Sequence, residues 1–76
     1  MKIFEDIVTE QLGIPKEQMS DTLTPADVPE WDSMNYLLFI GELEKQYGIS
    51  FTMDEILNAA SLGAVRALVI GKGVTL

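Results

Sequence analysis

The sequence predicts an all-α domain of four helices, with a long loop between helices one and two and a short third helix. Three observations predict it: apolar residues recur at helical spacing, strand-like alternation is found nowhere, and each periodic segment is bounded by residues that start or stop helices. With 76 residues and 47% apolar content, the chain is expected to form one domain over 1–76. That is near the smallest size at which a single core suffices without disulfides or metals.

The first helix is expected over about 2–12. At about 100° per residue, Ile3, Phe4, Ile7, Val8 and Leu12 share one half of its surface, and Glu5, Asp6, Thr9 and Glu10 the other. Gly13 supplies a C-terminal cap and Pro15 discourages continuation. From Ile14 to Asp32, Pro15, Pro25 and Pro29 stand among Ser, Thr and Asp, which predicts a long irregular connection. Loops of this length are uncommon in small domains unless they serve a function. Met19, Leu23 and Val28 are expected to fold it back onto the core, with Trp31 packed near its end and its indole N–H at the surface.

A second helix is expected over 33–47, opened by Asp32 or Ser33 and stopped by Gly48. Thr52 and Glu55 form a capping box that opens a short third helix over 53–58. Ser61 caps a fourth, over 61–70, in which Leu62, Val65, Leu68 and Val69 share one face. The Gly71-Lys72-Gly73 tail is expected to fray.

Composition narrows the chemistry. The chain contains neither cysteine nor histidine, which removes disulfides, the usual zinc ligands, thiolate nucleophiles and the commonest neutral-pH base. Catalysis by the chain alone is therefore not expected, nor is a metal site. Twelve acidic residues against five basic ones give a net charge of -7, which argues against nucleic acid and for partners that present Lys and Arg. The opening Met1-Lys2-Ile3-Phe4-Glu5-Asp6 does not resemble a signal peptide, and no apolar run reaches membrane-spanning length. A monomer in the cytoplasm is the expectation.

The second helix is unusual in having two apolar faces. Tyr36, Phe39, Ile40, Leu43 and Tyr47 cluster in one direction, as a core-facing stripe should. Met34, Leu37, Leu38 and Gly41 cluster in the opposite direction. One account has the long loop fold over this second stripe; another leaves it exposed to dock a partner, with Met adaptable in contact and Gly41 permitting a close backbone approach.

Ser33 stands at the first turn of this helix, where unpaired backbone N–H groups and the positive end of the helix dipole favour a phosphate by about 0.3–1 kcal/mol per favourable interaction. A self-activated nucleophile is not indicated, because no His is present and Lys45 lies about three turns away. Asp-Ser before a helix is common as a simple cap. Its context gives it weight here: a long loop before it and a two-faced helix behind it.

The stretch Trp31-Asp32-Ser33-Met34, with Leu43-Glu44-Lys45-Gln46-Tyr47-Gly48-Ile49 and Phe51 beyond it, resembles the Asp-Ser-Leu signature and following helix of the acyl carrier protein family. The resemblance extends over essentially the whole chain and implies a four-helix bundle of acyl-carrier type. It also implies a free-standing carrier whose serine, here Ser33, receives covalent 4′-phosphopantetheine from coenzyme A through a phosphopantetheinyl transferase. Asp32 matches the Asp of the motif, and Met34 replaces the usual Leu. The terminal thiol of the arm would hold acyl or aminoacyl cargo as a thioester for the synthases or ligases that load and use it.

One departure from the family bears on pathway. Carriers of fatty-acid synthesis commonly present acidic side chains along this helix, whereas here the exposed stripe has Leu38, Gly41 and Lys45, with Glu42 and Glu44 to either side. A specialised pathway, such as polyketide, aminoacyl or other secondary metabolism, is the expectation. Met34, Leu37, Leu38, Gly41 and Lys45 are the candidate partner-binding residues, and Phe39, Leu43, Ile56 and Leu62 are candidates to line a cargo cavity. Two other readings compete: a non-covalent interaction module using the same stripe, and a carboxylate-based small enzyme.

Overall fold

The computed structural model describes residues 3–76, so the Lys2 end of the expected first helix lies outside the described residues. Among the described residues, four α-helices make up the fold: α1 (Phe4–Leu12), α2 (Ser33–Tyr47), α3 (Met53–Asn58) and α4 (Leu62–Gly71). None of them is long and apolar enough to cross a membrane.

Helix α1 begins later than its apolar pattern suggests. Ile3 is extended and 55% exposed, so it precedes the helix and leaves the buried face to Phe4, Ile7, Val8 and Leu12. Gly13 ends α1 in the left-handed conformation at φ 69, its N–H donating to Thr9 O, a backbone geometry that favours glycine. Against this face α2 packs Phe39, Ile40 and Leu43, and Phe4 meets Phe39 edge-on at 6.0 Å. Each such side chain gains about 1.5–3 kcal/mol on burial, so this seam dominates the stability of the α1–α2 pair. From α4, Leu62, Val65 and Val69 are buried, and Leu68 only in part.

The long connection is more ordered than its composition indicates. It contains two 3₁₀ turns, Lys16–Gln18 and Pro25–Asp27, the second closed by the Thr24 N–H donating to Asp27 Oδ2 at 3.0 Å. Val28 and Trp31 are buried, and Met19 and Leu23 pack on the same core. Its backbone is also joined to α4: Leu62 N–H donates to Leu23 O at 2.8 Å and Gly63 N–H to Asp21 O at 2.9 Å. These are the first two amides of α4, and Ser61 Oγ accepts the third from Ala64. The loop therefore supplies acceptors that a helix N-terminus otherwise takes from water.

Gly63 makes that approach possible. A Cβ there would lie 2.7 Å from Asp21 Cβ and 2.9 Å from Asp21 O, and neither neighbour is the free end of a side chain. Arg66, one turn on, adds a second tie by donating to Asp21 Oδ1 and Glu5 Oε2, each at 3.2 Å, while its guanidinium lies 4.7 Å from the Phe4 ring centre. The ion pair between Lys16 and Asp6 is more exposed, a setting in which ion pairs add little.

Helix α3 opens as the capping box predicts, with Thr52 N–H donating to Glu55 Oε1 at 2.8 Å and Glu55 N–H to Thr52 Oγ1 at 3.1 Å. It contributes no buried residue. Ile56 packs partly buried against the core, and polar contacts add to this: Phe51 N–H donates to Glu44 Oε2 at 2.8 Å and Tyr36 O–H to Ile56 O at 2.7 Å. The tail expected to fray is tied down. Lys72 Nζ donates to both oxygens of Glu55 at 2.9 and 3.1 Å and lies 5.3 Å from the Phe51 ring centre. Val74 then packs on the core.

Replacing Gly63 with Ala should force the loop off α4 and cost about 1–3 kcal/mol, lowering the midpoint of a thermal melt by about 4–8 °C for each kcal/mol. The Glu55 carboxyl is held below its ordinary 4.5 by the Thr52 N–H and by Lys72. A lowered folded-state value means stabilisation that is full above the ordinary value and is lost as pH falls through the lower one. Urea midpoints should accordingly show Lys72→Met weaker than wild type at neutral pH, with the gap narrowing below about pH 4.5.

Candidate functional site

The N-terminal end of α2 is set by Asp32, not Ser33. Asp32 is the cap: its Oδ1 accepts Asn35 N–H at 2.8 Å, its backbone is extended, and its carbonyl accepts Tyr36 N–H at 2.8 Å. Ser33 thereby becomes the first helical residue, exposed, with its hydroxyl released from capping duty. Asn35 Nδ2 donates back to Glu30 O at 2.9 Å and Trp31 N–H to Val28 O at 3.0 Å, so the turn before the serine is fixed from both sides. Trp31 is 5% exposed and stacks at a tilt on Tyr36, 5.8 Å between ring centres.

The two helix N-termini near the long loop are finished differently. At α4 the loop carbonyls take the first two amides, whereas at α2 the amides of Ser33 and Met34 have no acceptor among the described residues. Two unpaired amides at the positive end of a 15-residue helix suit an oxyanion esterified to the neighbouring hydroxyl. The site thus fits a phosphodiester. Lys45, about 18 Å along the helix from Ser33, takes no part in it.

The second stripe of α2 is open. Met34 is 73% exposed, Leu37 53% and Leu38 56%, and nothing lies within 4 Å of the position a Cβ on Gly41 would take. The long loop does not fold over it. Its attachment to α4 and the burial of its own apolar residues keep it on the other side of the core. Lys45, exposed one turn beyond Gly41, is the one cation among the described residues without a carboxylate partner.

The flanking acids are engaged internally. Glu44 accepts Phe51 N–H, and Glu42 accepts Gln46 Nε2 at 2.8 Å. Both are half-buried.

The residues expected to line a cargo cavity are not those that line the cleft of the fold. Phe39, Leu43 and Leu62 are fully buried in the core, and Ile56 is partly buried against it. A cleft of about 620 Å³ lies instead between α3 and α4, with Ala59, Ala64, Ala67 and Leu68 on its walls and Glu55 and Lys72 on its rim. Among the described residues, no group of three or more carboxylates is placed to hold a metal ion.

Exposed apolar residues on α3 are absent from the candidates read from the sequence. Met53 is 62% exposed and Leu57 73%. Their spacing of one turn on a helix whose start the capping box fixes was the available signal.

Among curated proteins, none matches this sequence. Residues 2–69 match the family described as "Phosphopantetheine attachment site". With that match across nearly the whole four-helix fold, the chain belongs to the acyl-carrier-type family whose domains bear a covalently attached phosphopantetheine and work with partner enzymes.

Proposed function

We propose that Ser33 is the attachment residue and that the chain is an acyl or aminoacyl carrier of a specialised pathway. The observation that supports the reading most directly is the exposed Ser33 hydroxyl at the first position of α2, inside the stretch matched to the attachment family. The Oγ of Ser33 would attack the phosphorus of coenzyme A nearer the pantetheine. A new P–O bond forms, the pyrophosphate bond breaks, and adenosine bisphosphate leaves. The hydroxyl proton passes to a base of the transferase, since the chain has no His to take it.

Once bound, the arm supplies a terminal thiol that holds cargo as a thioester. The residues of this chain provide an address. Met34, Leu37, Leu38 and Gly41 form an exposed apolar stripe that begins beside Ser33, and apolar contact there delivers binding energy next to the point where the arm enters a partner's active site. The engaged state of Glu42 and Glu44 and the free Lys45 support a pathway other than housekeeping fatty-acid synthesis, whose carriers commonly dock through acidic side chains. A net charge of -7 keeps copies apart, in keeping with a monomer.

Incubation with coenzyme A and a broad-specificity phosphopantetheinyl transferase should raise the intact mass by one phosphopantetheine, and Ser33→Ala should abolish the gain. No gain in the wild type, or a gain that survives in Ser33→Ala, removes the assignment. Gly41→Ala should stabilise the free protein by about 0.5–1 kcal/mol, because it removes a mid-helix glycine with open space around it. The same substitution should lower kcat/KM for the transferase, and a melt paired with transfer kinetics reads both effects.

A further inference from the structure

We infer that Lys45 is a second modification site: its amine takes an acyl group from the thioester carried by the same chain and keeps it as an amide. The inference rests on the carrier reading above, with Ser33 as the attachment residue.

Reach permits the transfer. Ser33 and Lys45 lie about 18 Å apart along α2. A phosphopantetheine arm has about 13 bonds from phosphorus to sulfur, which at the extended spacing of a peptide backbone span about 15 Å. The Ser33 side chain adds about 3 Å and the lysine stem about 6 Å. On an α-helix the Cα–Cβ bonds tilt toward the N-terminus, which directs the Lys45 stem toward the serine end.

The way between them is open. Met34, Leu38 and Gly41 stand eleven, seven and four residues before Lys45, within about 40° of its direction on the helix. Met34 and Leu38 are more than half exposed, and nothing lies within 4 Å of a Cβ placed on Gly41. An acyl group lying along this line gains apolar contact and meets no intervening side chain before the amine.

The chain's other described cations are engaged. Asp6 holds Lys16 in its charged form, by a hydrogen bond and by its charge. Lys72 is half-buried and donates to both oxygens of Glu55. Arg66 donates to Asp21 and Glu5, and a guanidinium does not lose its proton in a protein. Lys45 is exposed, and Glu42 and Glu44 beside it bond Gln46 and the Phe51 N–H without forming an ion pair to it.

The reaction needs no further reagent. The lone pair of deprotonated Nζ forms a C–N bond to the thioester carbonyl carbon and the C–S bond breaks. The proton lost by nitrogen ends on sulfur, so an amide and a free thiol result.

The test loads the full chain with a hexanoyl group, using hexanoyl-coenzyme A and a broad-specificity phosphopantetheinyl transferase. After both reagents are removed, the loaded chain is held at mildly alkaline pH. It is then treated with hydroxylamine, which cleaves thioesters and spares amides, and mapped by peptide mass spectrometry. Hexanoyl amide should form on Lys45 at least about 10-fold faster than on any other amine, because a short tether supplies a local concentration of about millimolar. Its first-order rate should not change when the chain is diluted. Lys45→Arg should lower the hydroxylamine-resistant hexanoyl mass at least about 10-fold, while Lys16→Arg and Lys72→Arg, which keep their ion pairs, should leave it unchanged. A Ser33→Ala chain mixed with loaded Lys45→Arg should gain no amide. No amide in the wild type, amide spread evenly over the lysines, or a rate that rises with chain concentration would overturn the inference, while the mass gained on loading upholds the carrier reading. If the wild type gains no mass on loading, the carrier reading itself fails.

Discussion

The close passage of the long loop over the start of α4 is the constraint on which the rest of the molecule depends. Gly63 has no Cβ, so the backbone at Asp21 can approach closely enough to accept its N–H while Leu23 accepts that of Leu62. Two amides that a helix normally leaves to water are satisfied, and the loop is committed to one side of the core. Arg66 closes the junction by joining the loop, through Asp21, to α1, through Glu5 and Phe4. In a chain this small, a connection of nearly twenty residues left loose would be costly in entropy; attached in this way, it becomes a wall of the core.

That commitment has a functional consequence at a distance. Because Met19, Leu23 and Val28 are used on the core side, no segment of the loop is left to cover Met34, Leu37 and Leu38. Folding thus leaves exposed a surface that hydrophobicity alone would bury. The cost of showing these residues to water is accepted at the end of α2 nearest Ser33.

The same division of labour is seen in the polar groups. Asp32, Glu42, Glu44 and Glu55 each hold a local partner, so much of the acidity around α2 and α3 is structural. Helix α3, with no fully buried residue, is placed by these contacts together with the packing of Ile56 on the core.

The sequence by itself determined the helical class, the starts of α2, α3 and α4, the core stripe of α2 and the prominence of Ser33, because periodicity and capping are local properties written within a few residues. Of its two departures from the structure, one was local and the other depended on a distant partner. Ile3 has the right spacing but lies before the first helical turn, and the tail read as frayed is held by Lys72, whose partner Glu55 is 17 residues away. Only tertiary structure decided which side of the core the loop would take, that the α2 stripe stays open, that Glu44 is an internal anchor, and that Met53 and Leu57 of α3 stay exposed. Each of those outcomes depends on a contact between residues distant in the chain, above all Gly63 with Asp21, and spacing within one segment carries no record of it.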